Sequence, residues 1–135
     1  VNEYAGPVPD LNDSLTAPFW EATRENRLVV QRCSSCGYLR WPPGPACNEC
    51  LAPGGEWTEL SPVGSLYSYA EYHLAFNPAF KDEIPYVVGL VELDQGPRMY
   101  GLMRSQPSTA DIGRKVGAVF ESVTNEVTLV RWELM

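Results

Sequence analysis

The sequence predicts a mainly β protein in which one short helix and a four-cysteine metal ribbon precede a five-stranded barrel. Two cysteine pairs with metal-ligand spacing, Cys33-Ser34-Ser35-Cys36 and Cys47-Asn48-Glu49-Cys50, define the first half. A series of β-type runs after Gly54-Gly55, separated by turn chemistry and read as about five strands, defines the second. A length of 135 residues holds one domain or two very small ones, and 44% hydrophobic against 20% charged residues supplies a modest core rather than a disordered chain.

Val1 to Asn12 carries prolines and glycine without periodicity, so residues 1–12 are expected to form an extended arm or linker. The start at Val1 leaves open both a removed initiator and a cut from a longer fusion. A helix is expected over Ala17 to Glu25, capped by Ser14 or Thr16. Pro18 falls in its first turn, where a missing N–H costs little, and Leu15, Phe19 and Ala22 share one face. Because Phe19 and Trp20 are adjacent, one can enter the core while the other remains available as a partner anchor. The helix should stop near Asn26.

The run Leu28-Val29-Val30-Gln31-Arg32 then enters the first cysteine pair, and Tyr38-Leu39-Arg40-Trp41 leaves it before a double proline. The C-x2-C-x10-C-x2-C spacing lets Cys33, Cys36, Cys47 and Cys50 converge on one tetrahedral ion. Gly37 follows the first pair, where a knuckle needs a left-handed turn; Leu51 takes that place after the second. Zinc is the favoured occupant, with rubredoxin-type iron, two disulfides or four buried free thiols as the alternatives. A closed four-thiolate site keeps no position for water or substrate, so its zinc would be structural.

The β-type runs are Trp57 to Leu60, Ser65 to Phe76, Tyr86 to Leu93, Arg98 to Met103, Ala118 to Val123 and Val127 to Leu134. A sheet with so few strands must cover its edges, which favours a closed five-stranded barrel of the oligonucleotide/oligosaccharide-binding (OB) type, with a sandwich as the alternative. The expected units are the helix plus ribbon over 13–55 and the OB barrel over 56–135.

Seventeen acidic and ten basic side chains give a formal charge of -7, which repels phosphate backbones and argues against a nucleic-acid partner. No apolar run reaches the roughly 18 residues of a membrane helix, and the first residues lack the layout of a secretion signal. A cytoplasmic protein without membrane insertion is the resulting expectation.

An autonomous enzyme is not expected: the cysteines are committed to metal, and neither a Gly-x-Ser-x-Gly elbow nor a Gly-rich phosphate loop occurs. The single catalytic candidate is His73, at the end of Tyr67-Ser68-Tyr69-Ala70-Glu71-Tyr72-His73. Strict alternation would put Tyr67, Tyr69, Glu71 and His73 on one face, where Glu71 could orient the imidazole. A surface or interface role is the weightier reading. The two tyrosines could also serve as stacking platforms for single-stranded nucleic acid, against which the acidity stands. Leu74 to Pro85 is a loop of about a dozen residues carrying two phenylalanines, and long loops of this kind are usually functional. Phe76 and Phe80 are therefore candidates for a partner interface or acyl pocket, the alternative being that they close the barrel end as core.

The order of these parts is similar to a known family. Pro18-Phe19-Trp20-Glu21, Leu28 to Cys33, the cysteine pairs around Trp41-Pro42-Pro43, Gly64-Ser65-Leu66-Tyr67-Ser68-Tyr69, Ile84 to Leu93 and Ile112-Gly113-Arg114-Lys115-Val116 together resemble the acyl-CoA-associated OB-fold proteins with a rubredoxin-like zinc ribbon, the domain of unknown function 35 family. The resemblance covers about residues 13 to 134. It implies a helix and zinc ribbon before an OB barrel, acting beside a thiolase-like or lipid-transfer-protein-like catalytic subunit on CoA thioesters. The leading implication is an accessory subunit of an aldolase that cleaves a β-hydroxyacyl-CoA, such as a steroid side-chain CoA ester. A subunit of an acyltransferase and a standalone acyl-CoA-binding domain are the alternatives. Asn48, where many members carry proline, and Leu51 depart from the family pattern, but neither removes a ligand.

Overall fold

A computed structural model describes residues 4–135. The expected arm is seen from Tyr4 onward without helix or strand up to Asn12; Val1, Asn2 and Glu3 lie outside the described residues. Helix α1 spans Ala17–Arg24, with Thr16 at its N-cap and Pro18 in its first turn. It buries Phe19, Ala22 and Thr23, whereas Leu15 stays at the surface. Asn26 adopts φ 59°, a left-handed residue just past the end of the helix, where the sequence places the stop.

Strands β1 (Leu28–Arg32), β2 (Leu39–Arg40) and β3 (Glu56–Leu60) form an antiparallel sheet in the order β2-β1-β3. β3 therefore pairs with the ribbon strand β1, from Leu28↔Leu60 to Arg32↔Glu56. The buried faces of Leu28 and Leu60 meet there, which no period-2 reading of a single strand reveals. The second sheet joins β4 (Val63–Tyr72), β5 (Tyr86–Leu93), β6 (Arg98–Leu102), β7 (Lys115–Ser122) and β8 (Thr128–Leu134) in the order β6-β5-β4-β7-β8. Its outer strands approach through a parallel bridge between Met103 and Trp132 and through the Arg104 N–H, which donates to the Trp132 carbonyl at 2.7 Å. This closes the sheet into the five-stranded OB barrel and removes the sandwich alternative.

One apolar cluster unites the two halves: Phe19 and Ala22 of α1, Leu28 and Val30 of β1, Leu60 of β3, and barrel residues Leu66, Val91, Val116 and Trp132. Trp132 is fully buried, and a Cβ on Gly101 would lie 2.6 Å from its indole, so the glycine makes room for the ring. The expected strand from Ser65 to Phe76 ends at Tyr72, leaving Leu74 and Phe76 in the following loop.

Alternation along β4 also breaks. Leu66 faces Val91 and Ser68 faces Leu90, so Tyr67 is the extra residue of a β-bulge. Tyr67 points outward beneath the Arg98 guanidinium, 3.8 Å from the ring centroid, whereas Tyr69 turns inward and packs against the core. The expectation that Tyr67 shares a face with Tyr69, Glu71 and His73 is thus corrected: the bulge shifts the pattern by one residue, Tyr69 alone of the four packs inward, and His73 lies beyond the end of the strand.

Candidate metal centre and docking arm

The four sulfurs of Cys33, Cys36, Cys47 and Cys50 lie within 4.8 Å of one another. The Cys33–Cys50 and Cys36–Cys47 separations are 3.6 Å, well beyond a disulfide bond and close to the roughly 3.8 Å edge of a tetrahedron with Zn–S bonds of about 2.3 Å. Two knuckles of matching geometry build this site. In the first, the Cys33 N–H donates to the Tyr38 carbonyl and the Gly37 N–H to the Cys33 carbonyl; in the second, the Cys47 N–H donates to Ala52 and the Leu51 N–H to Cys47. Gly37 (φ 80°) and Leu51 (φ 66°) hold the same left-handed position. Leucine in this position keeps the turn but carries a steric cost that glycine lacks.

Backbone amides point at the sulfurs, as ligated thiolates require. Cys33 Sγ receives the N–H groups of Ser35 and Cys36 at 3.4 Å, and Cys47 Sγ that of Glu49 at 3.4 Å. The Cys36 amide, followed by the Ser35 amide, lowers the Cys33 thiol to about 6, and the Cys50 amide lowers Cys47. The donor set fits a structural zinc ion, which these four side chains would hold in a closed shell.

A buried clamp positions the second pair. Arg40 is only 2% exposed. Its Nη2 donates to the Gly44 carbonyl at 3.0 Å and to the Gly54 carbonyl at 2.7 Å, so it ties together both ends of the segment that carries Cys47 and Cys50. Sequence patterning missed this residue. The available signal was a polar Gln31 within the otherwise apolar run of β1, since a buried amide needs partners.

The remaining candidates gather on or near the β4–β5 hairpin, with one exception. Trp20 is half-buried and set edge-on against Phe19 at 4.9 Å, on the helix rather than beside the other candidates. His73 Nε2 lies 2.9 Å from Glu71 Oε1, but its side chain is 70% exposed. No nucleophile is placed against it, so the pair is an open surface contact rather than a shielded acid/base couple. The two phenylalanines separate in role. Phe80 stacks on Tyr86 at 5.0 Å, and Tyr86 stacks on Tyr72 at 5.1 Å, so a ladder of three rings pins the loop to the outer face of the hairpin. Phe76 is 81% exposed, beside an exposed Leu74.

A four-cysteine ribbon whose sheet shares a core with a closed OB barrel defines the class: a zinc-ribbon/OB protein. Within that class, residues 20–54 match the rubredoxin-like zinc ribbon domain of ChsH2, and residues 57–121 match the C-terminal OB-fold domain of ChsH2. A DUF35 domain-containing scaffold protein of Methanocaldococcus jannaschii is 30% identical over 86% of this chain and 84% of its own length. The chain belongs to the DUF35 family.

The probable enoyl-CoA hydratase alpha subunit of Thermomonospora curvata is 42% identical over 91% of this chain. The 3-oxo-4,17-pregnadiene-20-carboxyl-CoA hydratase alpha subunit of Mycobacterium tuberculosis is 32% identical over 87%. The chain spans only 38% and 37% of these two proteins, respectively. Among solved structures, a chain of the Ltp2-ChsH2(DUF35) aldolase superposes with a TM-score of 0.80 at 35% identity, covering 96% of this chain and 98% of that one. A DUF35-family protein of Sulfolobus solfataricus shares the fold at a TM-score of 0.64 and 15% identity.

Proposed function

We propose that this chain is the non-catalytic zinc-ribbon/OB component of a heteromeric complex that processes acyl-CoA, bound to a thiolase-like catalytic subunit. The reaction is retro-aldol cleavage of a β-hydroxyacyl-CoA such as a steroid side-chain ester. One observation carries the reading: two strongly exposed apolar side chains lie close together at the hairpin tip, Leu74 at 66% and Phe76 at 81% exposure, beside the exposed His73–Glu71 contact rather than a shielded catalytic group. A tip of that kind binds protein rather than performing chemistry. The names of the aldolase and hydratase relatives support the class of substrate.

In this scheme the partner supplies the base that removes the hydroxyl proton. The C–C bond then breaks to leave a ketone and the enolate of a shortened acyl-CoA, which is protonated. This chain contributes a rigid platform. Zinc, when bound, holds the ribbon folded; the Gln31–Arg40 clamp fixes its second knuckle; and the ring ladder presents the tip.

Co-expression with the Ltp2 protein of the related aldolase, followed by size-exclusion chromatography and assay with a steroid side-chain β-hydroxyacyl-CoA, tests the reading. The expected result is a stable complex that releases ketone, with no measurable binding of the CoA ester to the isolated chain by calorimetry. Micromolar binding by the isolated chain would establish the standalone acyl-CoA-binding alternative instead.

A further inference from the structure

β4 runs from Val63 to Tyr72, but only its first part is covered on both edges. Toward β5, pairing continues from Gly64↔Leu93 to Tyr72↔Tyr86. On the opposite edge β7 pairs with Val63, Gly64 and Ser65. The loop before β7 extends this by one residue, with the Leu66 N–H donating to Arg114 at 2.9 Å and the Gly113 N–H to Leu66 at 2.8 Å. From Tyr67 to Tyr72 that edge has no hydrogen-bonding partner among the described residues. Six residues of strand, about 20 Å, therefore carry one row of open backbone groups.

Open edges invite pairing, and proteins ordinarily blunt them with proline, lysine or charge. Tyr67–Tyr72 contains neither proline nor lysine, and its one charge, Glu71, is bridged to His73. The bulge at Tyr67 sits at the start of the open stretch and does not interrupt the residues beyond it. On the other side of β4, a groove of about 270 Å³ runs across β4, β5 and β6, lined by Ser68, Tyr69, Ala70, Tyr72, Val88, Leu90 and Tyr100.

We propose that the free edge Tyr67–Tyr72 takes up an extended segment of the catalytic partner as an added β-strand; this rests on the partner reading above. Charge selects the occupant. Residues 67–85 hold Glu71, Asp82 and Glu83 against Lys81, a net of -2 with His73 neutral. Self-pairing would bring two such arms together at a cost in like-charge repulsion, whereas a partner segment carrying Lys or Arg among apolar residues is complementary. The same hairpin carries the exposed Leu74 and Phe76, so edge and tip form one continuous surface.

Hydrogen exchange followed by mass spectrometry tests this on the full chain, free and in complex with Ltp2. In an added strand, alternate amides of residues 67–72, about three, become bonded and slow by at least a hundredfold only in the complex. A complex that forms while these amides exchange as fast as in the free chain overturns the edge proposal and leaves the partner reading standing. Failure of any complex to form overturns both. Concentration-dependent protection of the same amides in the chain alone would assign the edge to a second copy and overturn the proposed occupant.

Discussion

Gln31 and Arg40 face each other across β1 and β2, and Gln31 Oε1 accepts two hydrogen bonds at once, from Arg40 Nε at 2.8 Å and from the Gly44 N–H at 2.9 Å. Among the described residues the guanidinium has no carboxylate partner and its Nη1 has no hydrogen bond, so the Gln31 amide and the carbonyls of Gly44 and Gly54 satisfy the buried cation there. Four thiolates with Zn²⁺ carry a net -2, and that charge lies two strand positions further on, at Cys33. Clamp and metal centre therefore support each other.

Gln31→Leu should remove an acceptor from the buried guanidinium, costing about 1.5–3 kcal/mol for the lost hydrogen bond to a charged group. Arg40→Lys keeps the charge but loses the fork that bridges Gly44 and Gly54. Both variants should release zinc to a chromophoric chelator faster than the parent chain, with Gln31→Leu also showing a lower denaturation midpoint. Unchanged zinc release in both would show that the clamp does not support the metal centre.

Zinc uptake should couple to pH in a definite direction. With Cys33 lowered to about 6 by the Cys36 and Ser35 amides, its sulfur is a thiolate at pH 7.5 and has no proton to release on binding. Below pH 6 it is protonated and must release one. Proton release per zinc, measured by calorimetry of the metal-free chain in buffers of different ionisation enthalpy, should rise as pH falls from 7.5 to 5.5. A flat value of four would contradict the assignment. Removing the metal by chelation, or substituting Cys33→Ser, should lower the thermal midpoint sharply, because the ribbon sheet is too small to hold alone.

The metal site was legible because its ligands are spaced in sequence as they are in space: two x2 turns make two knuckles whatever surrounds them. The barrel was legible from turn residues between β-type runs. The register was not. The bulge at Tyr67 inserts one residue that composition does not mark, and everything beyond it changes face. Gln31 and Arg40 meet only because β1 and β2 pair in one register, and β3 joins the ribbon only because Leu60 reaches Leu28. Such pairings depend on long-range contacts that alternation within one strand cannot encode. The exposure of Phe76 and the stacking of Phe80, identical residues four apart, follow likewise from the turn Pro78–Phe80 between them.

Leu51→Gly should stabilise the protein. Leu51 holds φ 66° at the second knuckle while 79% exposed, so its side chain contributes little packing to offset the left-handed backbone. Relief of that strain is worth about 1 kcal/mol. A higher denaturant midpoint at unchanged slope would show it; a lower midpoint would mean that the exposed leucine packs on the ribbon more than its exposure indicates.

Phe76 and Phe80 offer the sharpest separation of docking from stability. Phe76→Asp alters a ring that touches almost nothing within the chain, so folding stability should stay within about 0.5 kcal/mol of the parent. Phe80→Ala removes one rung of the ladder on Tyr86 and should cost about 0.5–1.5 kcal/mol for the lost stacking, before any loosening of the loop. Against the catalytic partner the order should reverse: Phe76→Asp should weaken association at least tenfold by placing a charge in an apolar contact, and Phe80→Ala should act more weakly, through disorder of the tip. Thermal melts and titration calorimetry on the two variants check this. Full partner affinity in Phe76→Asp would remove the hairpin tip from the interface and return the search to the half-buried Trp20, where α1 meets the arm near Leu11.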